Sequence, residues 1–566
     1  MGIKYFFSWL RSNFGQHILS QKVGASQSNM PDIDVLMFDM NGIFHNVCAH
    51  VYEYGPFKRE NLLQRRVNHK DLQLKAFKEV CDIIDFMVNF VKPKEKILLC
   101  IDGIAPQSKQ NQQRSRRFRS ANDKSDEEFN KFDSNCISPG TQFMDYLGKY
   151  IDFYIQSKVG KEWNFEVIFS NDKVPGEAEH KLIDYARKLN EEERKKSFMV
   201  YGMDADLIML TLGTMLENMH IIRENTFAIE KTFYILNIGE IRKDLYNKMN
   251  WNEDEEGIPR HFYDYKNAVY DFIAMCFTVG NDFLPQIPTI EIYEGGIEIM
   301  FDNYKSVCRE YGHLTEITKS GVIFNKNTLK KFFECMMKLE KNILEQKLSK
   351  KEVYFPDEYL ESCAKISDGV YNLDFEKYRN VYNEKKLGGK VRQSCLKYLE
   401  GMQWVLTYYI EGCKEWNWTY PFHYTPFMTD LYDYIDSFNL HISKQVSQPC
   451  YPYFQLVRIL PPRSRRLLPL PLQKIFDGKL KEYFPEKFEV DLKGKKNEWE
   501  GIVILPFLDD KELLKEYNVY IRELTDSDRK RNTFGKTFIY KPSAFVSRYS
   551  SYYGEMIINC VREMFF

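Results

Sequence analysis

Acidic side chains follow several apolar stretches in the first half of the 566-residue chain. Two apolar runs end in aspartate, VLMFD at Asp39 and KILLCID at Asp102, and the motifs VPGEAEHK and YGMDADLIML follow two further runs. A seventh acid lies in CFTVGNDFLP, after an apolar helical pattern. The candidate catalytic and metal-binding residues are Asp39, Asp102, Glu177, Glu179, Asp204, Asp206 and Asp282.

A cluster of carboxylates needs cations, because like charges held close together repel. Carboxylate oxygens are hard ligands that suit Mg²⁺ or Mn²⁺, and no His/Cys group at zinc spacing accompanies them. Two such ions, about 3.5–4 Å apart, would activate a water and stabilise the leaving oxygen of a phosphodiester. Any one acid could instead be a helix cap. Capping does not explain the same placement after four strands, so we predict a metal-dependent nuclease.

The elements that would position these acids form an α/β pattern. Short apolar runs predict strands at Val35–Asp39, Lys96–Asp102, Phe165–Ser170 and Ser197–Gly202, and apolar residues at helical spacing lie between them. Near-continuous apolar strands separated by helices predict a parallel sheet covered on both faces. The carboxyl ends of parallel strands share one edge, where ligands bind, so the acids are expected to converge there.

A basic segment begins directly after Asp102. From Lys109 to Arg119 it has five cations and no acids. On a helix, Lys109, Gln113, Arg116 and Arg117 share one face that could bind a terminal phosphate. The alternative is a solvated charged face. The lack of compensating acids and the position beside Asp102 favour phosphate binding.

Composition limits the classes of partner and location. The net charge is -1, so a nucleic-acid surface must be a local patch. The 12 cysteines are scattered, which indicates reduced thiols in the cytosol or nucleus. We find no secretion signal, myristoylation motif or membrane span. We predict no membrane partner and cytoplasmic residence, with the nucleus left open.

Ten motifs then resemble, in order, those of the Xrn-type 5′→3′ exoribonucleases. The first six are DMNGIFHN, IDGIAPQSKQNQQRSRRFRSA, SPGTQFM, VPGEAEHK, YGMDADLIML and CFTVGNDFLP. The later ones are GMQWVLTYYIEG, WNWTYPFHYTPF, LPPRSRRLLP and WEGIVILPF. The resemblance covers nearly the whole chain. It implies a catalytic domain at 1–345, a short linker or insert at 346–390, and a second conserved region at 391–566 that encloses the active site and RNA channel.

This resemblance implies a fold and a function. The fold would be a PIN/flap-nuclease-like parallel sheet flanked by helices, with a second, mostly helical region packed against it. The activity would be stepwise hydrolysis of 5′-monophosphorylated single-stranded RNA to nucleoside 5′-monophosphates, as in mRNA decay. The cofactor would be Mg²⁺ or Mn²⁺, as two ions. The enzyme would be a monomer with decapping or RNA-decay factors as partners.

Site residues can be carried over at matching positions. The seven acids match the family's metal ligands, and Lys109, Gln113, Arg116 and Arg117 match its pocket for the 5′-monophosphate. His45 matches a histidine that stacks on the 5′-terminal base, and its partner would be Trp418, or else Trp416. Stacking grips any base without reading sequence. Without the resemblance, His45 and both tryptophans would be read as packing residues.

The chain also departs from the family. Ala178 stands where glycine is usual, and Gln107 where a basic residue is usual. We expect a compact member, without the C-terminal β-rich domains of the large members and the CCHC zinc knuckle of some others. One alternative is a flap-type DNA nuclease, but the Gly-rich hairpin expected after Asp282 is absent. The other is a catalytically inactive RNA-binding scaffold, which the presence of all seven acids disfavours.

Overall fold

Strands and helices alternate along most of the chain in the computed structural model, which describes residues 3–27, 29–58, 68–226, 228, 230–250, 263–439 and 446–565. The strands are β1 (Ile18–Lys22), β2 (Val35–Asp39), β3 (Lys96–Cys100), β4 (Glu166–Ser170), β5 (Phe198–Tyr201), β6 (Met219–Glu224), β7 (Thr232–Asn237), β8 (Thr315–Thr318), β9 (Gly321–Phe324), β10 (Ala364–Ser367), β11 (Val370–Leu373), β12 (Glu489–Asp491), β13 (Ile502–Ile504), β14 (Phe538–Ser551) and β15 (Gly554–Met564).

The α-helices fall into two groups along the chain. Those of the first 311 residues are α1 (Phe6–Phe14), α2 (Met40–Val51), α3 (His69–Val91), α4 (Gln107–Asp123), α5 (Asp126–Lys131), α6 (Gln142–Lys158), α7 (Ala178–Arg187), α8 (Asp206–Gly213), α9 (Ile238–Met249), α10 (Tyr265–Met275) and α11 (Gly296–Tyr311). Those that follow are α12 (Lys326–Met337), α13 (Glu340–Ser349), α14 (Glu358–Glu361), α15 (Phe375–Leu387), α16 (Val391–Glu411), α17 (Met428–Tyr434), α18 (Pro452–Ile459), α19 (Leu470–Gln473), α20 (Asp510–Tyr520) and α21 (Asp526–Arg531). No described helix combines the length and apolar character that crossing a membrane requires.

The main sheet of the described residues has nine strands in the order β1-β7-β6-β5-β2-β3-β4-β14-β15. Its central strands β6, β5, β2, β3 and β4 run parallel, with Leu36 opposite Ile97 and Met199 in register. After β2, the chain adds β3 and β4 on one side and then returns to add β5 and β6 on the other. The chain therefore crosses over between β4 and β5. In open α/β sheets ligands bind at the carboxyl ends of the strands beside such a crossover.

Both faces of this sheet are covered, and the central strands β2 and β5 are apolar at nearly every position. Alternate residues of β2 point to opposite sides: Val35 and Met37 join one core, and Leu36 and Phe38 join the other. Successive side chains of a strand point to opposite faces, so a strand buried on both sides needs an unbroken apolar run. The predicted α/β sheet with helices on both faces is confirmed.

The sheet is mixed rather than purely parallel. Strands β7 and β14 pair antiparallel with β6 and β4, and β1 and β15 extend the two edges. The sequence predicted four strands and did not predict these antiparallel ones. The pairing of β14 with β4 covers only three residue pairs, from Phe538 with Phe169 to Tyr540 with Val167. A pairing of three residues between strands so far apart in the sequence produces no hydrophobic periodicity from which it could be predicted.

Residues 346–390, predicted as a linker or insert, are folded in the structure. They contain the end of α13, then α14, the hairpin β10–β11 and α15. Leu348, Leu360 and Leu373 are buried in a small core of their own, which also includes Phe427 from the second region. The domain boundaries themselves stay a prediction.

Asp271 on α10 ties α10 to α11 and the start of β8 through a buried network. Its carboxylate accepts hydrogen bonds from Tyr304 Oη at 2.7 Å, His313 Nδ1 at 2.7 Å, and Thr315 N and Oγ1 at 2.7 and 2.6 Å. The backbone N–H of Asp264 donates to His313 Nε2, so Nδ1 carries the proton and donates to Asp271. Although Asp271, Cys308 and His313 approach one another closely, these partners mark a structural cluster rather than a metal site.

We predict that Asp271→Asn lowers the free energy of unfolding by about 3 kcal/mol, because an amide cannot accept from all of these buried donors. Urea unfolding followed by circular dichroism measures the loss. Asp302→Asn on the exposed side of α11 is the matched control and should leave the midpoint unchanged. Equal midpoints for the two variants would contradict the role given to Asp271.

Candidate active site

The seven predicted acids lie at or near the carboxyl edge of the parallel strands. Asp39 is the last residue of β2, and Asp102 comes two residues after β3. Glu177 and Glu179 stand at the start of α7, which follows β4. Asp204 and Asp206 stand at the start of α8, which follows β5. The topology thus brings residues from four separate strands to one edge.

Three of these acids form a compact oxygen cluster. Asp39, Glu179 and Asp204 each offer one carboxylate oxygen, and the three oxygens lie within 4.8 Å of one another. Two buried oxygens of these acids, Glu179 Oε2 and Asp206 Oδ1, have no hydrogen-bond partner among the described residues. Closely spaced carboxylate oxygens are the donor set that a hard divalent cation takes. The residues present therefore fit a metal.

Burial and mutual repulsion shape the electrostatics of the cluster. Burial, followed by the charges of Asp102 and Asp204, raises the pKa of Asp39 well above its usual range. Burial and the neighbouring Asp206 do the same to the pKa of Glu179. Burial and Asp282 raise the pKa of Asp206 to about 7. These carboxylates ionise together only with a positive charge nearby.

Lys109 supplies one such charge. Its Nζ lies 2.5 Å from Glu177 Oε2 and 2.6 Å from Asp282 Oδ2. Burial disfavours the ammonium, yet Asp282 and Glu177 raise the pKa of Lys109 well above its usual range. Asp282 is also buried, and the Lys109 ammonium keeps its pKa lowered. Lys109 is therefore a counter-ion within the acid cluster, where the sequence predicted a phosphate ligand.

Backbone and side-chain contacts fix Asp39 and Asp102 relative to each other. Asp39 Oδ1 accepts from the N–H of Asn41 at 3.2 Å, and Asn41 Oδ1 accepts from the N–H of Asp102 at 2.8 Å. Asp102 Oδ1 in turn accepts from the N–H of Ala178 at 2.7 Å. Nearby, Lys181 Nζ donates to the carbonyls of Ile101 and Asn171 at 2.7 and 2.9 Å. The ends of β2, β3 and β4 are thereby locked together.

The other predicted phosphate ligands lie on α4. Arg116 is exposed, whereas Gln113 and Arg117 are buried. Arg117 Nη1 donates to Ser138 Oγ at 2.6 Å, and Gln113 Oε1 has no partner among the described residues. His45 on α2 is accessible to solvent but sits deep enough that desolvation, with Arg116 and Arg117, lowers its pKa to about 3. A neutral imidazole beside two guanidiniums therefore borders this region.

The prediction for the stacking tryptophan does not fit the structure. Trp418 is 4% exposed, stacks on Trp404 with ring centroids 5.0 Å apart, and donates from Nε1 to Glu400. Its faces are therefore occupied. Trp416 is half-buried. Trp499, which sequence reasoning missed, is 51% exposed, and its ring has Lys4 Nζ 5.3 Å from its centroid.

Trp499 lines a cavity of about 820 Å³ that also includes Asp204, Asp282 and Arg116 in its wall. When the acids of the cluster are set aside, the wall has more basic than acidic residues. Its aromatic residues include Phe507 and Tyr5. The cations of the wall are Lys4, Arg114, Arg116, Arg119, Arg223, Lys347, Lys386, Lys493 and Lys495. Lys493 and Lys495 form no ion pair with a described carboxylate. We call this space the basic cavity.

The matches to known families cover most of the chain. The model described as "XRN 5'-3' exonuclease N-terminus" matches residues 1–225. The model described as "Xrn1 helical domain" matches residues 262–372 and 369–558. The two models together therefore take in both the acid cluster and the residues that line the basic cavity.

Individual relatives are similar over nearly the whole chain. 5'-3' exoribonuclease 1 of Homo sapiens is 28% identical over 94% of this chain and 35% of its own length. The enzymes of the same name from Saccharomyces cerevisiae and Schizosaccharomyces pombe are 28% and 27% identical, with 44% and 52% of their lengths covered. The chain thus spans about a third to a half of these relatives.

A solved structure described as "The catalytic core of Rad2 in complex with DNA substrate (complex III)" matches 68% of this chain and 95% of its own. Its TM-score is 0.30 and its sequence identity 12%, values too low to carry an argument. The fold assignment therefore stands on the strand order and on the two cores of the sheet.

Removing one charge from the acid cluster should stabilise the protein without metal and reduce the stabilisation that metal provides. Without divalent ions we predict that Asp206→Asn raises the melting temperature by about 1–3 °C, because a buried repulsion is relieved. With saturating Mn²⁺ the wild type should gain about 2–4 °C and the variant less than half of that. Differential scanning fluorimetry measures both shifts. The exposed Glu191→Gln is the control, and a variant as metal-responsive as this control would contradict the site.

Proposed function

The chain belongs to the Xrn family of 5′→3′ exonucleases, and from that premise we propose that it hydrolyses 5′-monophosphorylated single-stranded RNA stepwise from the 5′ end. The products would be nucleoside 5′-monophosphates, and the process would be RNA decay. The observation that carries the proposal is the acid cluster opening through Asp204 and Asp282 into the basic cavity. Relatives named exoribonucleases support RNA as the polymer.

Divalent ions complete the proposed site. All seven acids would hold them: Asp39, Glu179 and Asp204 with their clustered oxygens, Asp206 with its unpartnered Oδ1, and Asp102, Glu177 and Asp282 from the same edge of the sheet. We propose two ions, Mg²⁺ or Mn²⁺, which when bound would acidify a water and neutralise charge on the scissile phosphate. The protein's own contribution is the arrangement of the carboxylates, set by Asn41, Ala178 and Lys109.

The 5′ end would be recognised on α4. Arg116 can offer its exposed guanidinium to a terminal phosphate, and Gln113 and Arg117 lie on the same face of the helix. Guanidiniums bind phosphate oxygens through paired, charge-assisted hydrogen bonds. A phosphate held there would set the first phosphodiester next to the acids. A cap or triphosphate would be excluded by size.

The basic cavity would hold the nucleotides that follow. Trp499 presents an aromatic face on which a base can stack, and Lys493 and Lys495 can pair with backbone phosphates. His45, whose pKa is lowered by burial and by Arg116 and Arg117, would stack on the 5′-terminal base. Stacking and phosphate contacts work for any base, as a processive degrading enzyme requires. Three arginines of the 458–466 segment are engaged within the protein: Arg458 and Arg465 pair with acids, and Arg463 donates to backbone carbonyls.

Neither alternative function gains support. A flap-type DNA nuclease would need a duplex-binding hairpin after Asp282, and that segment instead forms part of the wall of the basic cavity. An inactive scaffold would not need the unpartnered oxygens of Glu179 and Asp206. We therefore propose no second function. Decay factors as partners, a monomeric state and cytoplasmic residence remain predictions.

The 5′-end preference is the direct test. We predict that RNA with a 5′-monophosphate is degraded roughly 10- to 100-fold faster than 5′-hydroxyl RNA, because charged hydrogen bonds at Arg116 and Arg117 are lost with the phosphate. Capped RNA should be resistant, and cleavage should require Mg²⁺ or Mn²⁺. Asp204→Ala should lower the rate at least about 100-fold, and Glu191→Gln should not. Equal rates on capped and monophosphorylated RNA would sink the proposal.

The stacking role of Trp499 has its own test. We predict that Trp499→Leu raises KM for single-stranded RNA about tenfold, since stacking on one base is worth about 1–3 kcal/mol. Trp416→Leu is the matched control and should change KM less than twofold, because Trp416 does not line the basic cavity. Steady-state kinetics on a fluorescently labelled RNA separates them. The opposite pattern would favour Trp416, the alternative to Trp418 in the prediction from the sequence.

A further inference from the structure

Helix α16 presents two adjacent buried tyrosines to the back of the acid cluster. Tyr408 and Tyr409 are each 2% exposed. Tyr408 Oη donates a hydrogen bond to Glu177 Oε1 at 2.8 Å. Tyr409 Oη has no hydrogen-bond partner among the described residues. Both rings contact His180 and Phe283, but among the described residues only the hydroxyl of Tyr408 has a hydrogen-bond partner.

The ring of Tyr408 is held firmly. His180 stacks on it with centroids 3.7 Å apart and ring planes 7° from parallel. Phe283 meets it edge-on at 5.5 Å, and Trp404 lies 5.1 Å away. Burial, with Arg187 and Lys109, lowers the pKa of His180 well below its usual range, so this stack is between neutral rings. The hydroxyl is thus fixed in direction before it meets Glu177.

Glu177 has a different partner on each oxygen. Oε1 accepts from Tyr408, and Oε2 contacts Lys109 Nζ at 2.5 Å. A glutamate has three side-chain torsions, and a carboxylate held at both oxygens keeps one orientation. Without the hydroxyl, Glu177 could turn away from the neighbouring carboxylates, which repel it.

We propose that Tyr408 is a positioning residue that orients Glu177 for metal binding. The inference rests on the proposed function, because it assumes that Glu177 belongs to the metal site. Partners of metal-binding carboxylates fix ligand orientation, and their loss typically weakens metal binding or activity about 10- to 100-fold. Tyr408 acts through Glu177 and needs no contact with RNA.

Tyr408→Phe and Tyr409→Phe form the matched pair, because each removes one oxygen from a buried ring on the same helix. Calorimetric titration of the full chain with Mn²⁺, in the absence of RNA, gives the affinity. We expect Tyr408→Phe to weaken Mn²⁺ binding about tenfold and Tyr409→Phe to change it less than twofold. In the RNA assay, the Mn²⁺ concentration for half-maximal rate should rise in parallel, with KM for RNA unchanged.

Two results with the variants would overturn the proposal: Mn²⁺ affinity of Tyr408→Phe within twofold of wild type, or an equal loss in both variants, which would indicate general packing. Wild-type protein that binds no Mn²⁺ would also overturn it. A third outcome separates the two proposals. If the wild type binds Mn²⁺ and Tyr408→Phe weakens that binding as expected, but the wild type leaves 5′-monophosphorylated RNA intact, the proposed function fails and the role of Tyr408 stands.

Discussion

Repulsion among buried carboxylates is the constraint that the rest of the structure must satisfy. Seven acids lie at one edge of the sheet, and for several of them burial and neighbouring charge favour the protonated form. Lys109 relieves part of this strain from within the cluster. As long as no cation is bound, the stability of the surrounding fold must offset the rest of the repulsion. A parallel sheet buried on both faces can hold strand ends rigidly against such repulsion.

The central strands of the fold could be predicted from the sequence because each is marked by a local run of apolar residues. β2 was predicted at its observed bounds, since VLMFD is apolar until its final aspartate. β3 ends at Cys100 and not at Asp102, because the chain turns away there toward Gly103, whose missing Cβ leaves room for the carbonyl of Val174. The antiparallel strands β1, β7, β14 and β15 were missed, because their pairing partners are chosen by the folded sheet.

The acids were predictable for a similar reason, and the aromatic residues were not. A single acid after an apolar strand could be a helix cap, but the same placement after four strands marks the group; Asp282 follows a helical pattern, so strand spacing alone would have missed it. Nothing in WNWTYPF distinguishes Trp416 from Trp418, and only packing shows that Trp404 covers the latter. Trp499 and Tyr408 lie in segments whose exposure and partners are set by contacts hundreds of residues away.

Those distant contacts explain why the second region belongs to the active site. The carbonyls of Glu498 and Gly501 accept from Arg119 on α4, and Glu500 accepts from Tyr5 at 2.7 Å. The N–H of Gln107, at the start of α4, donates to the carbonyl of Trp416 at 2.8 Å. The helix that carries the candidate phosphate ligands is thus anchored by the second region at both ends. The acid cluster comes from the first region, but the wall of the basic cavity beside it comes in part from the second.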